Sequence, residues 1–305
     1  MSLIPPYLKV GDTVVIIATA RKISDEELNP TINILNSWGL RAELAPNLFK
    51  SHHQFSGSDE ERTEDLQWAL NHKTAKAILI ARGGYGTLRI IDNVDFTEFK
   101  KNPKWLIGYS DVTVLHSHLQ SIGIVSLHAT MPVNFLKHED ATLSIRQLLF
   151  NEQIDYAIPC HPLNKPGKAE AEVIGGNLSL LYALSGSASE VDFTNKILFI
   201  EDLDEFLYHI DRMMLQLKRS GKLKNLAGLI VGGMSEMKDN SISFGKNAEE
   251  IIHDAVSEYN YPVCFNFPAG HIDENMALYL GKPGHLEVTK NNVKFYYLQH
   301  ELQNN

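Results

Sequence analysis

Short β-branched runs alternate with capped helical segments through the first half of the chain, and this alternation restricts the fold more than any other feature of the sequence. Thr13 to Thr19 (TVVIIAT) reads as a buried strand. Ser24 with Glu27 forms a capping box, and Asn29-Pro30 restarts the helix with proline at its first position. Gly39 ends that helix, and Arg41 to Ala45 is a second, weaker strand. Ser58 with Glu61 opens another helix through about Asn71. Lys76 to Ala81, Trp105 to Gly108 and Ile124 to Ala129 read as further strands, with a helix running from Ser110 to about Ser121. Such alternation implies right-handed crossovers and a doubly wound, mostly parallel sheet of flavodoxin/Rossmann-like type. Ligands of such sheets sit beyond the carboxyl ends of the strands. Here those ends carry Ala18-Thr19-Ala20, Arg82-Gly83-Gly84-Tyr85-Gly86 and Gly108-Tyr109-Ser110-Asp111.

The polar, proline-bearing stretch His161 to Lys168 interrupts the pattern. We therefore expect an α/β domain over 1–150, a linker over 151–168 and a second α/β domain over 169–305. In the second half Ala171 to Ile174, Lys196 to Glu201 and Leu226 to Val231 read as strands. Helices are expected from Asn177, over Phe206 to Arg219 and near Ala248 to Glu258, with tail strands at Ala277 to Leu280 and Val293 to Leu298. The 28 Lys and Arg against 37 Asp and Glu give a net charge of −9, which argues against nucleic acid or an anionic membrane as partner. Cys160 and Cys264 form no CxxC unit, so a zinc ribbon or disulfide scaffold is excluded; both thiols are expected buried and inert, in a reducing compartment. The segment Met1 to Tyr7 lacks a basic start and an apolar stretch, and no run reaches the ~18 apolar residues of a membrane helix. The expectation is a soluble cytoplasmic protein.

Four segments could carry chemistry. Ser110 follows a buried strand and opens a helix, the setting of a nucleophile elbow, with the Asp111 N–H beside it as an oxyanion donor. Ser110 or Asp111 could equally be a helix cap, and Val112 stands where GxSxG has its last glycine, so an α/β-hydrolase is not supported. The glycines of Arg82 to Gly86 let backbone N–H groups face a ligand, or simply turn the chain; GxGxxG and GKS/GKT spacings are absent, which opposes a nucleotide-dependent enzyme. Glu201-Asp202 end a strand, where a carboxylate is held rigidly or favours a helix start. His271, after Gly270 in a loop, could act as a general base. His116 and His118 form an HxH on a helix, but side chains two apart do not share a face, which opposes joint metal ligation.

Taken in order, Val14 to Ala18, Arg82 to Gly86, Ile107 to Asp111, Gly175 to Leu180, Phe199 to Asp202, Ile210 to Arg212 and Gly270-His271 resemble the LD-carboxypeptidase family of serine peptidases, which includes the microcin C self-immunity peptidases. The resemblance implies a Ser-His-Glu triad with Ser110 as nucleophile, His271 as general base and Glu201 orienting it. It further implies an oxyanion hole from Gly83 or Gly84 with Asp111, an active site between the domains, no metal or organic cofactor, and a homodimer. It implies cleavage of an amide between an L- and a D-configured residue, with murein tetrapeptide losing its terminal D-Ala as the usual case. Arg82 would pair with the substrate carboxylate or brace the glycine loop, and Tyr85 would line the substrate site. Two segments depart from the family pattern: Thr19-Ala20-Arg21-Lys22 stands for Ser-Pro-Ser-Gly, and His128-Ala129-Thr130-Met131-Pro132 for a His-Gly-Pro-Met-like run. Both bear on specificity. The competing readings are a microcin C-type immunity peptidase and a non-catalytic peptide-binding protein.

Overall fold

The computed structural model describes residues 2–298. Its first half runs β1 (Thr13–Ile17), α1 (Asp25–Ser37), β2 (Arg41–Leu44), α2 (Asp59–Asn71), β3 (Ala75–Ile80), α3 (Thr97–Lys101), β4 (Trp105–Gly108), α4 (Thr113–Ser121), β5 (Ser126–His128) and α5 (Glu139–Leu149). The second half runs β6 (Gly167–Asn177), α6 (Leu178–Ala183), β7 (Ile197–Leu203), α7 (Leu207–Arg219), β8 (Gly228–Ser235), α8 (Ala248–Val256), β9 (Val263–Cys264), β10 (Leu278–Leu280), β11 (Pro283–Val288) and β12 (Val293–Tyr297).

The first sheet has the order β10-β5-β4-β3-β1-β2 and is parallel apart from β10. Its parallel part follows the flavodoxin-like order, with a switch point between β1 and β3. Strands β1 and β3 are apolar nearly throughout because helices cover both faces of the sheet. The second sheet, β12-β11-β6-β7-β8-β9, is parallel from β6 to β9 and adds an antiparallel hairpin at the β6 edge. The expected two-domain α/β architecture is what the chain adopts, with one exchange. Leu278–Leu280 pairs with His128, Leu127 and Ser126, so a strand from beyond residue 169 completes the first sheet.

Both capping boxes close as the sequence indicates, Ser24 with Glu27 and Ser58 with Glu61. The box sets the start of α1; Pro30 lies inside the helix rather than at its first position, forgoing one backbone bond to the preceding turn. Cys160 is exposed, contrary to expectation, because the loop joining α5 to β6 runs over the surface. Cys264 is buried on β9, and burial pushes its thiol up to about 12.

Candidate active site

The chain turns sharply after β4. A Cβ on Gly108 would stand 2.8 Å from Val112 Cγ2, so glycine is needed for the turn to fold over the next helix. Tyr109 is extended, and Ser110 takes a φ of 64°, the left-handed region that costs a non-glycine residue about 1–2 kcal/mol. A 3₁₀ turn over Ser110–Val112 then leads into α4. The turn is braced from below by the buried His116, whose Nε2 lies 2.8 Å from the Gly108 carbonyl oxygen and whose Nδ1 lies 2.8 Å from Ser126 Oγ. Burial pushes this imidazole down to about 3, so the neutral ring donates to the carbonyl and accepts from the hydroxyl. His118 bonds Ser189 instead, so the two histidines of the HxH serve different neighbours. The supporting role of His116 was hidden from sequence, because its partners lie on two other strands.

Glu201 is fully buried near the end of β7, where the β7–β8 register slips between Ile200 and Asp202. Such an irregularity re-aims side chains next to functional sites. Successive strand residues face opposite sides. Glu201 turns to His271, whereas Asp202 accepts from Asn177 Nδ2, the Ser179 N–H and the Leu203 N–H, each at 2.9 Å, and ties down the start of α6. Burial chiefly, with the neighbouring Glu201 charge, lifts Asp202 to about 7. His271 Nδ1 is 2.6 Å from Glu201 Oε2, which also accepts the His271 backbone N–H at 3.1 Å. His271 Nε2 is 3.0 Å from Ser110 Oγ. Gly270 makes this approach possible: its φ is 107°, and a Cβ there would lie 2.6 Å from Glu201 Cβ. Asn275 Oδ1 accepts the Gly270 N–H at 2.7 Å, and Ser235 Oγ donates to the His271 carbonyl at 2.6 Å. Burial disfavours charge on His271 and on Glu201 alike, yet each stabilises the other's ion; His271 ends above its ordinary value and Glu201 below.

The glycine loop after β3 lies against the serine. A Cβ on Gly83 would stand 3.2 Å from Ser110 Cβ and 3.4 Å from its Oγ. Gly84 instead faces Arg21, and the Gly83 carbonyl accepts the Arg21 N–H at 3.3 Å. Asp111 is buried, and its Oδ2 accepts the Thr87 N–H at 2.8 Å, which ties the elbow to the end of the glycine loop. Arg82 Nη1 lies 2.9 Å from Glu27 Oε1, a contact that fastens the loop to α1. Tyr85 is exposed at the loop's tip beside Phe55. Two residues of segments marked in the sequence, though given no role there singly, also shape the site. Tyr109 packs its ring 4.8 Å from that of His271, and Met131 reaches within 3.0 Å of the Gly83 Cβ position.

The two halves are joined close to the elbow. Thr113 Oγ1, on α4, accepts the Asn177 N–H at 2.9 Å, and a Cβ on Gly176 would approach that oxygen to 2.5 Å. Among the described residues no group of three or more His, Cys, Asp or Glu is placed to hold a metal ion. What converges is one hydrogen-bonded chain, hydroxyl to imidazole to buried carboxylate, with backbone from two loops around the hydroxyl. That geometry can activate a hydroxyl for attack on a carbonyl.

Comparison with known proteins shows which family the chain belongs to. Residues 14–129 match the LD-carboxypeptidase N-terminal domain, and residues 170–286 match the LD-carboxypeptidase C-terminal domain. A relative from Bacillus subtilis strain 168, named probable murein peptide carboxypeptidase, is 36% identical over 91% of this chain and 89% of its own. The crystal structure of muramoyltetrapeptide carboxypeptidase from Oxalobacter formigenes superposes with a TM-score of 0.85, at 27% identity, over 94% of this chain and 99% of that one. The microcin C7 self-immunity protein MccF, in complex with aspartyl sulfamoyl adenosine, shares the fold at a TM-score of 0.86 and 20% identity, over 97% and 99%. Two domain matches in family order, spanning both halves that build the site, make the chain a member of the LD-carboxypeptidase family and a peptide hydrolase.

Proposed function

We propose that this carboxypeptidase releases the terminal D-Ala of murein tetrapeptide by a Ser110–His271–Glu201 mechanism. The observation that carries the reading is the unbroken chain of contacts, 3.0 Å from Ser110 Oγ to His271 Nε2 and 2.6 Å from His271 Nδ1 to Glu201 Oε2. Ser110 Oγ attacks the scissile carbonyl carbon as its proton passes to His271 Nε2. The Glu201 carboxylate holds Nδ1–H and stabilises the imidazolium. The Asp111 N–H and an N–H of the Gly83–Gly84 loop receive the developing oxyanion, and each such donor supports about 2.7–4 kcal/mol of barrier lowering. His271 then returns the proton to the leaving amine as the C–N bond breaks. Water, deprotonated by the same imidazole, hydrolyses the acyl-enzyme and frees Ser110. Tyr85, at the mouth, flanks the peptide. The domains meet at this site with the nucleophile on one and Glu201 and His271 on the other. The exposed free thiol of Cys160 suits a reducing cytoplasm, where recycled wall peptides are met. A homodimer belongs to the same reading on the family resemblance alone.

The test is mass spectrometry of murein tetrapeptide incubated with the wild type and with Ser110→Ala. Loss of one alanine with the wild type only is expected. Equal turnover by Ser110→Ala would overturn the nucleophile assignment. The shared fold with MccF favours one second reading, hydrolysis of an aminoacyl-nucleotide conjugate. Cleavage of that conjugate, with tetrapeptide left intact, would replace the murein substrate.

A further inference from the structure

We propose that Arg21 receives the free carboxylate of the residue that leaves. The inference rests on the peptidase reading above. The loops after β1 and β3 flank the switch point of the first sheet, where ligands of such sheets bind. Arg21 lies on the first of these loops and crosses to the second. Its Cγ, Cδ and Nε stand 2.6, 2.7 and 2.9 Å from the position a Cβ on Gly84 would take. Glycine at 84, with a φ of 115°, therefore gives the arginine stem its bed. The Arg21 N–H bond to the Gly83 carbonyl, 3.3 Å, fixes the backbone beneath it.

The arginines around it are engaged. Arg82 pairs with Glu27, and Arg62 and Arg89 both pair with Asp59. The Arg21 side chain is exposed and has no carboxylate partner among the described residues. Its stem lies beside the loop that meets the nucleophile. Gly83 abuts Ser110, and Gly84, which carries the Arg21 stem, is one residue further, about 3.8 Å between Cα atoms. A guanidinium beside the loop that abuts the nucleophile can pair bidentately with a carboxylate. It stands where the family pattern has no cation, in Thr19-Ala20-Arg21-Lys22.

The experiment is steady-state kinetics of wild type, Arg21→Ala and Arg21→Lys on murein tetrapeptide and on the same peptide with a C-terminal carboxamide. The wild type is expected to favour the acid over the amide. Arg21→Ala is expected to lose about 100-fold in kcat/KM on the acid, mostly through KM, and to change little on the amide. Arg21→Lys should regain part of the loss. Wild-type discrimination retained by Arg21→Ala, or equal rates of the wild type on acid and amide, would overturn the proposal. If the wild type cleaves neither peptide but does cleave an aminoacyl-nucleotide conjugate, the murein reading itself fails, and Arg21 loses its ligand with it.

Discussion

His271 is held between opposing influences: burial disfavours its charged form, and the Glu201 carboxylate, by charge and hydrogen bond and with Asp202 and Glu236 behind it, favours it by more in sum. Its folded value therefore lies above the ordinary 6.5. A general base must be neutral, so the acid limb of kcat/KM against pH should fall above 6.5. In Glu201→Gln burial acts against only the smaller Asp202 and Glu236 contributions. The limb should then move to lower pH while kcat drops about 10³- to 10⁴-fold; a pH profile that stays in place would contradict the pairing. His116 gives a stability test. His116→Ala leaves the Gly108 carbonyl and the Ser126 hydroxyl without their buried partner and opens a cavity, at a cost of about 2–4 kcal/mol. Urea unfolding measures it. Ser110 was legible as a residue at a strand-to-helix turn, but its left-handed backbone was not. The choice between Glu201 and Asp202 turns on which face of β7 meets the histidine loop. Pattern alone left that open, and only the family resemblance separated them.

The elements with local signals were the legible ones. Both capping boxes rest on contacts within a few residues in sequence, and the parallel strands of the first sheet and the α7 helix carry their apolar patterns within their own length. Strand β9 has two residues, too few to show a period, and β11 opens with Pro283-Gly284, which reads as a turn. Strand β10 was legible, but its partner was not: pairing with β5 spans 150 positions, Leu278 to His128. Helix α4 and strand β6 meet where Thr113 faces Gly176. Gly176 has a φ of 139°, and an added Cβ would meet Thr113 Oγ1 at 2.5 Å. Gly176→Ala should cost about 1–3 kcal/mol and lower kcat, because Thr113 sits three residues after Ser110. Thermal unfolding with parallel rate measurements checks both; an unchanged variant would show that the two halves are not coupled there.

Over the whole molecule, buried groups pull the pH dependence of stability in opposite directions. His128 is buried, with both ring nitrogens unpaired, and burial pushes it down to about 4. Below 6.5 the unfolded chain takes up a proton there that the folded chain refuses, so this contribution is lost as pH falls. Asp202, lifted to about 7, acts the other way, because the folded state holds its proton more tightly. His128→Leu isolates one side. Its stability relative to wild type should improve by about 1.4 kcal/mol per pH unit on going from 6.5 toward 4. Ser110 comes from one half of the chain, and His271 and Glu201 from the other. The most direct test is kcat/KM for Ser110→Ala, His271→Ala and the double variant on one peptide substrate. A unit that works together should lose about as much in the double variant as in Ser110→Ala alone. Losses that multiply would mean that Ser110 and His271 act separately.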